Sequence, residues 1–194
     1  MLLKLTSAHV LATLSDVTSE LFRPFQLGIG TPGGCERIIH ALRSELTDHS
    51  ILCTIDFRNA FNTPFRSAMR RSLLQYPRLA PLYDLFNLAY DTPSALHYGS
   101  VVIDSCRGAR QGDPLGGFLF CLCLHGMLVD AAKTFPTVHI RAYMDDLTLH
   151  SATGDTAEVT RCFKFLEERA TAIGMEVRGD KCEWFARTPP PNGL

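Results

Sequence analysis

Apolar positions recur three and four apart over residues 2 to 22, and again at Ile38, Ile39, Leu42 and Leu46 in CERIIHALRSEL. That spacing predicts two helical stretches, each with one buried stripe. Between them runs RPFQLGIGTPGG, whose glycines and prolines predict a turn-rich connector. Gly28, Gly30 and Gly33 fit GxGxxG, but no β-branched strand precedes them and Pro32 sits inside, so a dinucleotide loop is rejected. Thr31 or a neighbour is expected to cap the next helix. The pattern then changes, and ILCTIDF is an apolar run of strand length. Residues 64 to 76 and 79 to 90 return to helical spacing, and SALHYGSVVIDS predicts a β-hairpin with Gly99 near its turn. QGDPLGGFLFCLCLHGMLVDAAK opens a long apolar helix with Asp113 as N-cap and Pro114 at its first position. VHIRAYMDDLTLH reads as two short strands joined by a tight turn. A helix near 155 to 173 and a strand near 175 to 185 follow, then the Pro-rich RTPPPNGL, to which no element is assigned.

From residue 51 onward this order suits an α+β fold, an antiparallel sheet with helices on one face. Asp56 ends the first strand, while Asp145 and Asp146 sit at the later turn. If that strand lies beside the hairpin, the three carboxylates converge on one sheet edge. Aspartate is also an ordinary turn residue, so the pair alone fits a solvated hairpin. Three carboxylates at one place would instead gather hard cations such as Mg²⁺ or Mn²⁺, in the arrangement a two-metal phosphoryl-transfer site needs.

Composition narrows the setting. The 194 residues are 46% hydrophobic and 20% charged, which is ordinary globular material. A net charge of -1 argues against a free-standing nucleic-acid binder held by a basic surface. Arg58, Arg66, Arg70, Arg71 and Arg78 nevertheless cluster in one stretch, either a solvated helix face or a phosphate contact. The seven cysteines form no CxxC pair, so buried free thiols in a reducing intracellular compartment, nucleus or cytoplasm, are expected rather than zinc. No apolar run is read as a membrane span, and MLLKLTSAHVLATL is read as an amphipathic helix rather than a signal peptide.

Four segments together resemble the reverse transcriptase palm, most closely that of the non-LTR retrotransposon type. DFRNAFN, GARQGDPLGGFLF, AYMDDL and GMEVRGDKCEWF match its four motifs in order, and FQLGIGTPGGCERIIHALR is similar to the segment between fingers and palm. The resemblance implies partial fingers and connector helices over residues 1–50, a catalytic palm with a ferredoxin-like core over 51–186, and a tail over 187–194. It implies RNA-directed DNA polymerase activity, with template, primer and deoxynucleoside triphosphates as partners and two Mg²⁺ or Mn²⁺ ions as cofactors. Asp56 and Asp145 would be the main metal ligands, with Asp146 and the Phe57 carbonyl secondary. Phe61, beside Ala60, would be the steric gate against a ribose 2′-hydroxyl. Gln111, Gly112 and Tyr143 would border the incoming nucleotide, and Lys181 would be a general acid near the triphosphate.

Two departures from the family pattern qualify this. Arg178 stands where the fourth motif usually has Asn, and the basic fingers strand and the thumb of the family have no counterpart between Met1 and Leu194. The chain is therefore expected to be a segment of a longer polypeptide that supplies them. The alternatives are a non-catalytic palm remnant acting as a binding module, and an RNA-dependent RNA polymerase. Phe61 and the Tyr143-Met144 pair before the aspartates favour DNA synthesis over the latter.

Overall fold

The computed structural model describes residues 2–110 and 112–186. The expected N-terminal helix is two, α1 (Leu2–Thr13) and α2 (Ser15–Phe22), because Leu14 leaves helical geometry at φ -102°, ψ 13°. The Thr13 hydroxyl, bonded back to the Val10 carbonyl at 2.7 Å, competes there with the helical ladder. α3 (Gly34–Glu45) begins at Gly33 with φ 62° and no side-chain cap. The cap expected from Thr31 is not made, since its hydroxyl faces Arg23 Nε at 3.4 Å. Only part of the α3 stripe is used: Ile38 and Leu42 are half-buried, whereas Ile39 and Leu46 are exposed.

After β1 (Ile51–Ile55) come α4 (Arg66–Leu74) and α5 (Tyr83–Tyr90). Both are shorter than expected because Pro77 and Pro81, which have no N–H to give, hold a 3₁₀ turn over Pro77–Leu82. β2 (Ser94–Tyr98) and β3 (Val101–Ser105) form the predicted hairpin, with Gly99 at φ 59° in its turn. It is a separate two-stranded sheet that exposes Leu96, Tyr98, Val101, Val102 and Ile103.

α6 (Pro114–Thr134) starts as expected: Asp113 Oδ1 accepts from the Leu115 N–H at 3.1 Å, and Pro114 needs no partner. Contrary to the sequence reading, α6 is long and apolar enough to cross a membrane. It is the central core helix instead, with α1 and α4 packed on it and α7 (Thr156–Ala172) alongside. Its Leu115, Leu119 and Phe120 are fully buried, and truncating such a side chain costs about 2–5 kcal/mol.

β4 (His139–Tyr143), β5 (Asp146–Ser151) and β6 (Trp184–Phe185) complete an antiparallel sheet in the order β4–β5–β1–β6. Taken as β1–α6–β4–β5–α7–β6, this is the βαββαβ connection of a ferredoxin-like fold. Ile51, Cys53 and Ile55 of β1, with Leu147 and Leu149 of β5, turn inward. The last strand is not continuous over 175 to 185. Val177 bridges Phe57, a 3₁₀ turn at Gly179–Lys181 interrupts, and the strand resumes only at Trp184. The Arg178–Asp180 ion pair, 3.0 Å, closes that turn.

Candidate active site

Strand register alone gathers the three aspartates. Ile55 of β1 pairs with Leu147 of β5, so Asp56, one residue further, lies beside Asp146. Tyr143 pairs with Asp146, which leaves Met144 and Asp145 as the two-residue loop between β4 and β5. Asp56 and Asp145 are half-buried and Asp146 is exposed. Burial raises the pKa of the Asp145 carboxyl, and the charges of Asp146 and Asp56 raise it further. Among the described residues none of the three forms an ion pair. Arg178, on the adjoining turn, feels the Asp56 charge but spends its ion pair on Asp180. An all-oxygen set of crowded carboxylates fits a hard divalent cation such as Mg²⁺ or Mn²⁺.

The loop is held by a residue the sequence reading passed over. Met144 has φ 56°, the left-handed region that costs a non-glycine residue roughly 1–2 kcal/mol. Gln26, buried in the connector, grips it from both sides. Its Nε2 donates to the Met144 carbonyl at 2.8 Å, and its Oε1 accepts from the Met144 N–H at 2.8 Å and the Gly28 N–H at 3.0 Å. Residues 25–27 add to the sheet edge: the Leu27 N–H donates to Ala142 at 2.8 Å and the Ala142 N–H to Phe25 at 2.7 Å. The approach is so close that a Cβ on Gly28 would lie 2.6 Å from Met144 N. The Met144 side chain tucks inward, with Sδ 3.7 Å from Cys121 Sγ. The available sign was Gln26 between apolar Phe25 and Leu27, a strand-like alternation inside an apparent turn.

The other expected residues divide. The ladder with residues 176–178 uses the Asp56 carbonyl and the Arg58 N–H, which turns the Phe57 backbone groups toward the Asp146 side. Ala60 is buried, and half-buried Phe61 stacks on Phe120 with ring centroids 4.3 Å apart. Tyr143 is exposed. Gly112 is exposed at φ 73°, and Lys4 of α1 brings its ammonium close enough that a Gly112 Cβ would meet Nζ at 3.2 Å. Gln111 lies outside the described residues. Lys181 is exposed on the 3₁₀ turn whose Arg178 N–H donates to the Asp56 carbonyl at 2.8 Å.

The reverse transcriptase (RNA-dependent DNA polymerase) family matches residues 1–191, nearly the whole chain. The chain belongs to that family. It is 28% identical over 185 residues to the retrotransposable element SLACS 132 kDa protein of Trypanosoma brucei gambiense, covering 93% of this chain and 15% of that protein. Apo telomerase from Candida tropicalis shares the fold, with a TM-score of 0.66 at 10% identity over 91% of this chain and 36% of that one. Telomerase from Candida albicans, in complex with the TWJ fragment of telomeric RNA, gives 0.65 at 12% identity, covering 100% of this chain and 34% of the other. The chain thus spans about a seventh of the SLACS protein and about a third of each telomerase.

Within this reverse transcriptase fold four of the five clustered arginines, all but Arg71, have partners inside the chain. Arg58 pairs with Glu176 at 3.0 Å and Arg78 with Glu20 at 2.8 Å. Arg66 is buried against the Gly108 carbonyl and Ser105 Oγ, and Arg70 donates to Tyr83 Oη at 3.0 Å. All seven cysteines are free, and Cys53, Cys121, Cys123 and Cys162 are buried.

Proposed function

We propose that this chain is the palm core of an RNA-directed DNA polymerase, adding deoxynucleotides to a primer 3′-hydroxyl on an RNA or DNA template. The observation that carries the proposal is the convergence of Asp56, Asp145 and Asp146 beside the hairpin loop, where none of the three is taken up in an ion pair among the described residues. Asp56 and Asp145, with Asp146 and the Phe57 carbonyl, would hold two divalent ions. When bound, these would lower the pKa of the primer hydroxyl and neutralise charge on the departing pyrophosphate.

The chain's own groups supply the rest. Phe61, fixed by its stack on Phe120, would exclude a ribose 2′-hydroxyl, and buried Ala60 holds the 3₁₀ turn that presents it. Gln111, Gly112 and Tyr143 would border the nucleotide. Lys181, exposed with its ammonium unclaimed by any described residue, would donate the proton that pyrophosphate takes. Fingers and thumb segments would come from a longer polypeptide. We place it in a reducing intracellular compartment, nucleus or cytoplasm, with no membrane partner, in keeping with its free thiols.

The test is primer extension on an RNA template by this chain joined to fingers and thumb segments, with and without Mg²⁺ or Mn²⁺. Metal-dependent DNA synthesis that disappears in Asp145→Asn is expected. Synthesis that survives that substitution would remove the assignment, and no synthesis at all would leave the chain a palm-shaped binding module.

A further inference from the structure

At the other end of the β4–β5 hairpin, roughly 13 Å of strand from the aspartates, lies a second convergence of ligand-type groups. His139 opens β4 and His150 is its direct cross-strand partner on β5, so both imidazoles stand on one face of the sheet. The last residue of α3, Glu45, closes over them. Its Oε2 is 3.0 Å from His139 Nδ1 and 3.2 Å from His150 Nδ1. The three ligand atoms all lie within 4.8 Å of one another.

We infer that Glu45, His139 and His150 form a binding site for a borderline transition metal of the Zn²⁺ class. Two imidazoles and one carboxylate are a donor set that suits Zn²⁺ or Co²⁺ and discriminates against Mg²⁺. Outer contacts of the kind that orient metal ligands are in place. His150 is fully buried and its other ring nitrogen, Nε2, is 3.3 Å from Ser50 Oγ. Ser50 is itself fixed, accepting from the Thr47 N–H at 2.8 Å. The free oxygen of Glu45, Oε1, accepts from Arg141 at 2.5 Å, which turns Oε2 toward the imidazoles.

His150 would offer Nδ1, the ring nitrogen that faces Glu45 Oε2. His139 is half exposed and, with Glu45 and Arg141, borders a cleft of about 320 Å³ also lined by Pro24, Phe25 and Pro136. That leaves a coordination position for water or an added ligand, as in open three-ligand sites. The Arg141 charge works against a dication, which predicts weaker binding than in a closed structural site. The metal would clip α3 to the base of the hairpin.

The test is titration of the purified chain with Co²⁺ and Zn²⁺ above pH 7, in excess Mg²⁺ to fill the aspartate site. One equivalent of Co²⁺ should give visible d–d absorption without thiolate charge transfer, be displaced by Zn²⁺, and raise the melting temperature. His139→Asn, at the exposed ligand, should abolish the spectrum and the melting shift, and Glu45→Gln should do the same. Asp145→Asn and a double Cys35→Ser, Cys106→Ser variant should retain both. No binding, binding unchanged in His139→Asn, or a spectrum lost with Asp145 or the cysteines would each overturn the assignment.

Discussion

The two ends of the β4–β5 hairpin handle carboxylate charge in opposite ways. Burial pushes the carboxyls of Asp145 at the tip and Glu45 at the base upward alike. Neighbours then decide the sign. At the tip Asp146 and Asp56 push Asp145 further up. At the base the hydrogen bonds and charges of Arg141 and His139 overcome burial and bring Glu45 down to about 2. One end satisfies its charge internally, as structure usually does. The other keeps charge that the fold must hold against repulsion, and its all-oxygen set suits a hard dication, whereas the base offers two imidazole nitrogens and a carboxylate already held by Arg141.

The sharpest way to break the contrast is to remove charge at the tip. On the proposed two-metal assignment, Asp56→Asn or Asp145→Asn should cut nucleotide incorporation by on the order of 10²–10³-fold or more, because each would remove an anionic ligand from a site that works electrostatically. Single-turnover extension rates, with the fold checked by circular dichroism, give the comparison. A loss of only a few-fold would mean that the tip is no different from the base.

The clamp on Met144 sharpens the same contrast, since it is what holds the repelling carboxylates in register. Gln26→Ala should lower kcat by about 10–100-fold with KM for the nucleotide little changed, the signature of misplaced reacting groups. It should also cost about 1–3 kcal/mol, because the Met144 and Gly28 backbone groups lose their partners. A raised KM at unchanged kcat would assign Gln26 to substrate binding instead.

How legible each end was in the sequence follows from range of action. The tip is written locally: an Asp after a buried strand, and an Asp pair at a turn, each beside its own apolar pattern. Strand pairing then needed only one assumption, that β1 lies beside β5. The base was not legible. His139, His150 and Glu45 are each unremarkable surface-type residues on separate elements, and only register and the docking of α3 join them. Gln26 was missed for a similar reason, because a glycine-rich connector was not expected to pair with a strand over a hundred residues later. Proline at 77 and 81 could have shortened the predicted helices, and that signal was in plain view.

The base should answer to stability rather than chemistry. Glu45→Gln removes the acceptor that Arg141, His139 and His150 share, and should destabilise the chain by about 1–2 kcal/mol. The estimate stays low because the Glu45 side chain is 30% exposed and water screens part of the loss. Urea unfolding at pH 7 measures it, and an unchanged midpoint would show that the cluster is not a structural tie.

The smallest effect is the most discriminating, because it differs in sign between the two ends. The folded pKa of Glu45 is depressed from 4.5 to about 2, so its contribution is present above about pH 4.5 and is lost as pH falls toward 2. Asp145 has a folded pKa above its ordinary 3.8, so the folded chain takes up the proton first and the repulsion is relieved as pH falls toward 3.8. Glu45→Gln should therefore be less stable than the parent at pH 7, with the gap closing as the pH drops from about 4.5 toward 2. Asp145→Asn should be more stable than the parent at pH 7, with its gap closing by about pH 3.8. Urea titrations of the three proteins at pH 7, 5, 4 and 3 would trace both curves. An Asp145→Asn variant no more stable than the parent at pH 7 would mean that the hairpin tip is not strained by its own charge.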